Sequence, residues 1–471
     1  MHFLSFIIVK MEFMERSMEM DTRNDFSRGS VSENIIRMAI PMTVAQLINI
    51  LYNIVDRIYI ARLPEASSLA ITGIGICLPI ISIILAFGNL FGTGGAPLTS
   101  IARGRGDNKR GELLLGNSFT MLLLTGIVIT IAGLAVMRPL LYLFGASNAT
   151  YPYASAYMSI YLIGTVFVMI SFGMNFFINA QGFARTGMMT VLVGALLNIV
   201  LDPVFIFAFH MGIRGAAIAT VISQGVSAVW VLRFLTGSKA ILRIRRDSMR
   251  PDARLLQEIF SLGLSGFIML FTNALVQIMC NTSLESLGGD LYVGVMTVIS
   301  SIREVVSLPI IGITNAAQPV LGFNYGAGYN NRVKAGIRFT SIVSVVYTIG
   351  VWILLRAFPG FFISIFNTEP ALLNAGIPLM NIYYFGFFMM SLQFAGQSVF
   401  VGLGQSRYAV FFSLLRKVVI VIPLVLLLPR IGGLGIRGVF AAEPVSNFIG
   451  GSACYLTMMH VVYRKLLKDN A

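Results

Sequence analysis

Two aspartates stand where hydrocarbon is expected. Asp202 interrupts "GALLNIVLDPVFIFAF", Gly194–Phe209, four residues after Asn198 and directly before Pro203. Asp56 closes a stripe in the first long apolar segment. Gln46, Asn49, Asn53 and Asp56 follow at steps of three, four and three, which puts all four on one helix face. A charge inside a membrane span costs about 2.5–3.5 kcal/mol on insertion scales, so each carboxylate asks for a reason. Asn198 and Asp202, at i and i+4, face the same way, and Pro203 cannot donate to the carbonyl of Ile199. That frees a backbone oxygen about one turn from the carboxylate. With Thr220 in the next segment, two carboxylates, an amide oxygen and a hydroxyl form an oxygen-rich set suited to Na+ or a proton. Desolvated carboxylates near each other cannot both stay charged unaided, so a proton or cation would be taken up and released. Plainer readings stand beside this one. The amides can bond neighbouring helices, Pro203 can simply kink its helix while Asp202 caps a neighbour, and Thr220 can bond its own backbone.

The segments holding these residues are membrane spans. The chain has 471 residues, 56% hydrophobic and 11% charged, with a mean hydropathy of +0.82. Apolar runs of about 20 residues or more recur along it, and such runs must close their own backbone hydrogen bonds as helices. The alternation of a membrane barrel is absent. Twelve spans are expected, at 35–62, 70–102, 113–135, 152–183, 186–210, 214–235, 255–285, 292–325, 334–357, 371–406, 408–429 and 433–463.

The net charge of +14 is topological. Of 34 Lys and Arg, 21 fall in the N-terminal tail, the loops from even to odd spans and the C-terminal tail, counting Lys334 at the first position of its span. Only six border the opposite side: Arg62, Arg138, Arg214, Arg356, Arg430 and Arg437. This places both termini in the cytoplasm. A nucleic-acid partner would need a folded basic face with stacking aromatics, and none is indicated. Cys77, Cys280 and Cys454 lie far apart within spans, which argues against disulfides and thiolate metal sites. The opening "MHFLSFIIVK" makes a poor signal peptide, having a short apolar core and no basic residue before it. With Met11, Met14, Met18 and Met20 close behind, it reads as a disordered tail or an upstream start.

The chain repeats itself. "GIRGAAIATVIS" from Gly212 answers "GIRGVFAAEPVS" from Gly435, and "GRGDNKR" from Gly104 answers "GAGYNNR" from Gly326. "IIRMAIP" and "IFSLGLS" match at a similar offset, as do "QGFAR" and "LGQSR". Six spans per half keep one orientation, so the halves should be parallel repeats about an axis along the membrane normal. The expected division is a tail at 1–34, an N-lobe at 35–235, a basic cytoplasmic linker at 236–254, a C-lobe at 255–463 and a tail at 464–471.

With "VDRIYIA" in the first span and "QPVLGFNYGAG" at Gln318–Gly328, the chain resembles the multidrug and toxic compound extrusion (MATE) transporters over nearly its full length, most like the MepA-type branch. The resemblance implies an all-α membrane protein of twelve helices in two six-helix lobes, a central cleft, and export of cationic drugs against entering H+ or Na+. It implies a cation or proton site at Asp56, Asn198, Asp202 and Thr220. Tyr52 and Asn175 fit cavity-lining positions, Asn49 and Asn179 join them as candidate substrate contacts, and Pro41 fits a bend in helix one. Some branches carry acids in helices seven and ten. Here those helices offer Asn273, Gln277 and Asn281, and Gln393 and Gln397. The repeat sets Cys280 opposite Asp56 and Ile420 opposite Asn198, so the ion should be read by the N-lobe alone. Arg57 points roughly 100° from Asp56 but could still pair with a carboxylate.

In the second half, Arg303, Glu304, Arg416, Lys417 and Glu443 are expected to pair within the membrane or snorkel to water, with Glu304 or Glu443 touching substrate as the alternative. Abundant Met and Phe suit a pliable cavity. "GTGGAPLTS" from Gly92 lacks the Lys-Ser/Thr ending of a phosphate-binding loop and reads as a close helix contact. No metal-ligand cluster or nucleophile–base set suggests an enzyme. The rival reading is a lipid-linked oligosaccharide flippase of the wider superfamily, whose cleft should carry Arg and Lys for pyrophosphate. The expectation is a cation-coupled multidrug antiporter in the cell membrane, monomeric, without cofactor, whose partners are drug-like cations and membrane lipids.

Overall fold

The computed structural model describes residues 24–62 and 67–468, and all regular structure among them is helical. In chain order, α1 is Val31–Ala61, α2 Ser67–Gly104 and α3 Asn108–Leu143. α4 is the pair Tyr151–Ile163 and Thr165–Ala180, bent by 58°. α5 runs Ala184–Pro203 and continues as a π turn over Val204–Ala208; α6 is Gly212–Thr236. Then come α7 Ala253–Gly288, α8 Asp290–Gly326 and α9 Asn330–Ala357. α10 is the pair Pro370–Tyr383 and Phe388–Gly402, bent by 51°, and α11 spans Ser406–Arg430. α12 is a succession of α and π turns from Ile436–Ser446 to Arg464–Lys468. Among the described residues, nine helices are long and apolar enough singly to cross a bilayer, and the two bent pairs join them.

Three differences from the expected spans have local causes. α1 starts at Val31, four residues early, because Ser30 caps it by accepting from the Glu33 amide at 3.1 Å. α4 breaks at Gly164, against which the Val221 side chain packs too closely for any larger residue. α10 breaks before Phe388, where Gly386 has φ +67°, a conformation that L side chains rarely adopt. The expected tail at 1–34 lies outside the described residues for its first 23 positions, and the side chain of Arg57 lies outside them too.

The two halves meet through reciprocal contacts. α2 packs along α7, and its repeat counterpart α8 packs along α1. A Cβ on Gly104 would land 2.0 Å from the carbonyl oxygen of Phe323, and one on Gly326 would land 2.1 Å from that of Ile101. One contact is the other's image under the repeat. Between α2 and α7, Gly94 and Gly263 bring the backbones together: a Cβ at Gly263 would sit 1.7 Å from Leu90 O. The glycine-rich stretch from Gly92 is therefore a helix-packing surface.

These contacts lie toward the end of the bundle that carries the basic loops, and a short segment before α1 spans them. Phe26 is fully buried, with the Arg103 guanidinium of α2 over its ring and Phe323 of α8 edge-on at 5.8 Å. The Phe26 carbonyl accepts from Arg332 at 2.8 Å and Asn324 at 3.3 Å, and Arg103 donates to Asn24 O. The basic linker is docked as well. Leu242 is buried, its amide donating to Gln181 Oε1, and Arg245 pairs with Glu112.

Candidate functional site

A cavity of about 260 Å³ opens among α1, α2, α4, α5 and α6, with Asn315 of α8 closing one side. At its end the predicted cation residues converge. Asp202 is fully buried and Asn198 nearly so. Asn198 Nδ2 donates to Asp202 Oδ1 at 3.2 Å and to Thr220 Oγ1 at 3.4 Å, tying α5 to α6. The Asp56 carboxyl, brought in by α1, lies within hydrogen-bonding reach of Asp202. Asp56, Asn198 and Thr220 face the cavity, while Asp202 sits behind them.

Two acceptors at this point are orphaned. Asn198 Oδ1 and Asp202 Oδ2 are buried, and no described group donates to either. A buried acceptor without a donor costs about 1–3 kcal/mol, more for a carboxylate. A proton shared with Asp56 would satisfy the Asp202 oxygen, and a Na+ held by these oxygens would satisfy both, so the oxygen set fits either ion. Pro203 marks the position where α5 gives way to its π turn, just past the carboxylate. π turns inside α-helices recur at functional positions.

The remaining predicted residues are placed as follows. Tyr52 stands beside both carboxylates. Asn49 lines the cavity and accepts through its carbonyl from Asn53 at 2.8 Å. Asn175 and Asn179 also line it, and both pack on Gly187, where Asn175 Nδ2 donates to the carbonyl at 3.0 Å. They therefore also bind α4 to α5. Pro41 is buried within α1, removing the bond to the Arg37 carbonyl.

Two tyrosines were missed. Tyr157 lies within hydrogen-bonding reach of Thr220 and stacks on Tyr161, their centroids 6.0 Å apart. Both line the cavity. The only signal was two polar-tipped rings at i, i+4, in a helix that also carries Tyr151, Tyr153, Ser155 and Ser159. Ser171 and Gln224, bonded at 2.6 Å across α4 and α6, were missed as well.

The second half holds a different cluster. Glu443 of α12 meets Arg303 of α8 at 3.1 Å and Arg416 and Lys417 of α11 at 3.3 Å each. Arg416 also donates to Asn447 at 2.7 Å. The expected pairing inside the membrane is found for these four, whereas Glu304 is exposed on another face of α8.

The chain is similar along its length to known exporters. It is 24% identical over 439 residues to the multidrug export protein MepA of Staphylococcus haemolyticus, covering 93% of this chain and 94% of that one. It is 25% identical over 445 residues to MepA of Staphylococcus saprophyticus, covering 94% and 96%. Its fold matches the outward-facing structure of a multidrug resistance MATE transporter of the MOP superfamily with a TM-score of 0.87, at 22% identity over 95% of this chain and 99% of that one. The MatE family model matches twice, over residues 41–204 and 266–427, at nearly the offset of the internal repeats. A multi-pass membrane bundle, a chain-long likeness to MepA proteins and this double match agree: the chain belongs to the MatE family of transporters.

Proposed function

We propose that this protein is a secondary active multidrug exporter that moves organic, mostly cationic compounds out of the cell by antiport with H+ or Na+. The observation that carries the reading is the convergence of Asp56, Asn198, Asp202 and Thr220 at one end of a cavity large enough for a small drug. Asp56 and Asp202 hold the ion, Asn198 and Thr220 complete its oxygen shell, and Tyr52, Asn49, Asn175 and Asn179 contact substrate. The lobes are 35–235 and 255–463, joined by the 236–254 linker, with both termini cytoplasmic and the protein working as a monomer.

In this cycle the helix contacts at the basic end shut the cytoplasmic side. Ion binding between α1 and α5 rearranges the wall of the cavity and weakens the drug site while it faces outward. Drug entering from the cytoplasm favours the ion-free arrangement in turn. Coupling follows because each ligand stabilises a different state. A flippase would need Arg and Lys along this cavity, and among its described lining residues there are none.

The test is dye efflux from vesicles reconstituted with the full chain, with a pH gradient and a Na+ gradient imposed separately. One gradient should drive efflux, and Asp202→Asn should abolish that response. Full gradient-driven efflux by Asp202→Asn would sink the assigned site.

A further inference from the structure

The charge cluster of the C-lobe takes no part in the cycle above, and its balance is unusual. One carboxylate, Glu443, is shared by three cations, Arg303, Arg416 and Lys417. Arg416, Lys417 and Glu443 are 8%, 3% and 6% exposed, so these three sit away from water, while the Arg303 side chain is 26% exposed. Among the described residues no second carboxylate bonds to it. By formal charge two positives are left over, at least one of them on a buried side chain, where an unmatched ion costs several kcal/mol.

A small chamber adjoins the surplus. Arg303, Lys417 and Glu443 form part of its wall, and Asn273, Ser300 and Tyr383 add an amide and two hydroxyls. Its volume is about 20 Å³, against about 260 Å³ for the N-lobe cavity. That is room for roughly one water-sized particle. A drug does not fit there, and a single ion does.

The repeat sharpens the assignment. Pairing Gly212 with Gly435 sets Thr220 opposite Glu443, and Cys280, the counterpart of Asp56, borders this same chamber. The chamber therefore occupies the C-lobe image of the cation site, with its polarity reversed. We propose that it is a binding site for a compact monovalent anion, chloride being the simplest. The anion neutralises the surplus and ties α8 to α11 and α12.

The test is saturable binding of radiolabelled chloride to the purified full-length protein in sodium gluconate, competed with bromide. Wild type should bind chloride and lose it to bromide but not to gluconate. Lys417→Gln should weaken binding by about tenfold or more, and Lys417→Arg should keep it within about threefold. Glu443→Gln removes the competing negative charge and should tighten binding by about tenfold. Each variant is first checked for a single monodisperse species with a cooperative thermal transition. Absence of saturable binding in wild type overturns the proposal. So does binding that is equal in wild type, Lys417→Gln and Glu443→Gln, since the chloride then lies elsewhere.

Discussion

The two buried polar centres occupy matching places in a duplicated chain and carry opposite signs. In the first half, Asp56 on the wall of a roomy cavity and Asp202 just behind it bring two carboxyl groups together, with orphaned oxygens on Asn198 and Asp202. In the second, three cations close on one carboxylate around a space hardly larger than a water. Both lie at helix irregularities: α5 turns to π after Pro203, and α11 is π-wound over Leu415–Val421, where Arg416 and Lys417 stand side by side. The two π stretches do not align under the repeat, since Asn198 in the regular part of α5 is the counterpart of Ile420 within the π stretch of α11. What duplication keeps is the place where a polar group can be housed. The sign and size of what is housed there depend on a few side chains.

The contrast can be broken most directly by exchanging roles. Asp202→Asn should lower gradient-driven efflux by about 100-fold or more, equivalent to ~2.7 kcal/mol of lost ion binding. Lys417→Gln should leave the response to the gradient intact. Loss in both variants, measured in the same vesicles, would erase the division of labour between the halves. Next in size, Glu443→Gln leaves three cations, two of them buried, without their carboxylate and should cost ~3–5 kcal/mol of stability. This would be read as a lowered thermal midpoint in detergent, larger in gluconate than in chloride.

Smaller effects sharpen the first centre. Thr220→Ala removes one oxygen from the proposed ion shell and should raise the half-saturating ion concentration by about fivefold, or ~1 kcal/mol. Tyr157→Phe keeps the ring stacked on Tyr161 but deletes the hydroxyl near Thr220. Its expected shift is less than about threefold in the same assay. A larger effect there than at Thr220 would make the tyrosine, rather than the threonine, the ion's partner.

Much of the first centre was legible in the chain itself. An i, i+4 pair such as Asn198 and Asp202, and a stripe ending at Asp56, stand out because polar groups are costly in apolar helices. Tyr157 and Tyr161 were hidden because aromatic residues are ordinary in such helices, and only tertiary placement gives their hydroxyls a partner. In the second centre, opposite signs announced pairing, but three cations converging on Glu443 required α8, α11 and α12 to be set side by side. The bends in α4 and α10 were illegible for a related reason: Gly164 and Gly386 are two glycines among 46, and what packs against each decides which one breaks a helix. The segment before α1 read as an unstructured tail because its single anchoring ring has no periodic neighbours.

That ring gives the amino terminus a mechanical part. Phe26 wedges between Arg103 and Phe323, residues from opposite halves, and its carbonyl is gripped by Arg332 and Asn324. Prying the halves apart at this end means extracting the wedge and wetting a phenyl group whose burial is worth about 1.5–3 kcal/mol. In the proposed cycle this is the end that opens to the cell interior, so a handful of residues away from the cavity would set part of the barrier to that opening. Phe26→Ala is expected to change the maximal efflux rate more than the half-saturating dye concentration, measured in the same vesicles.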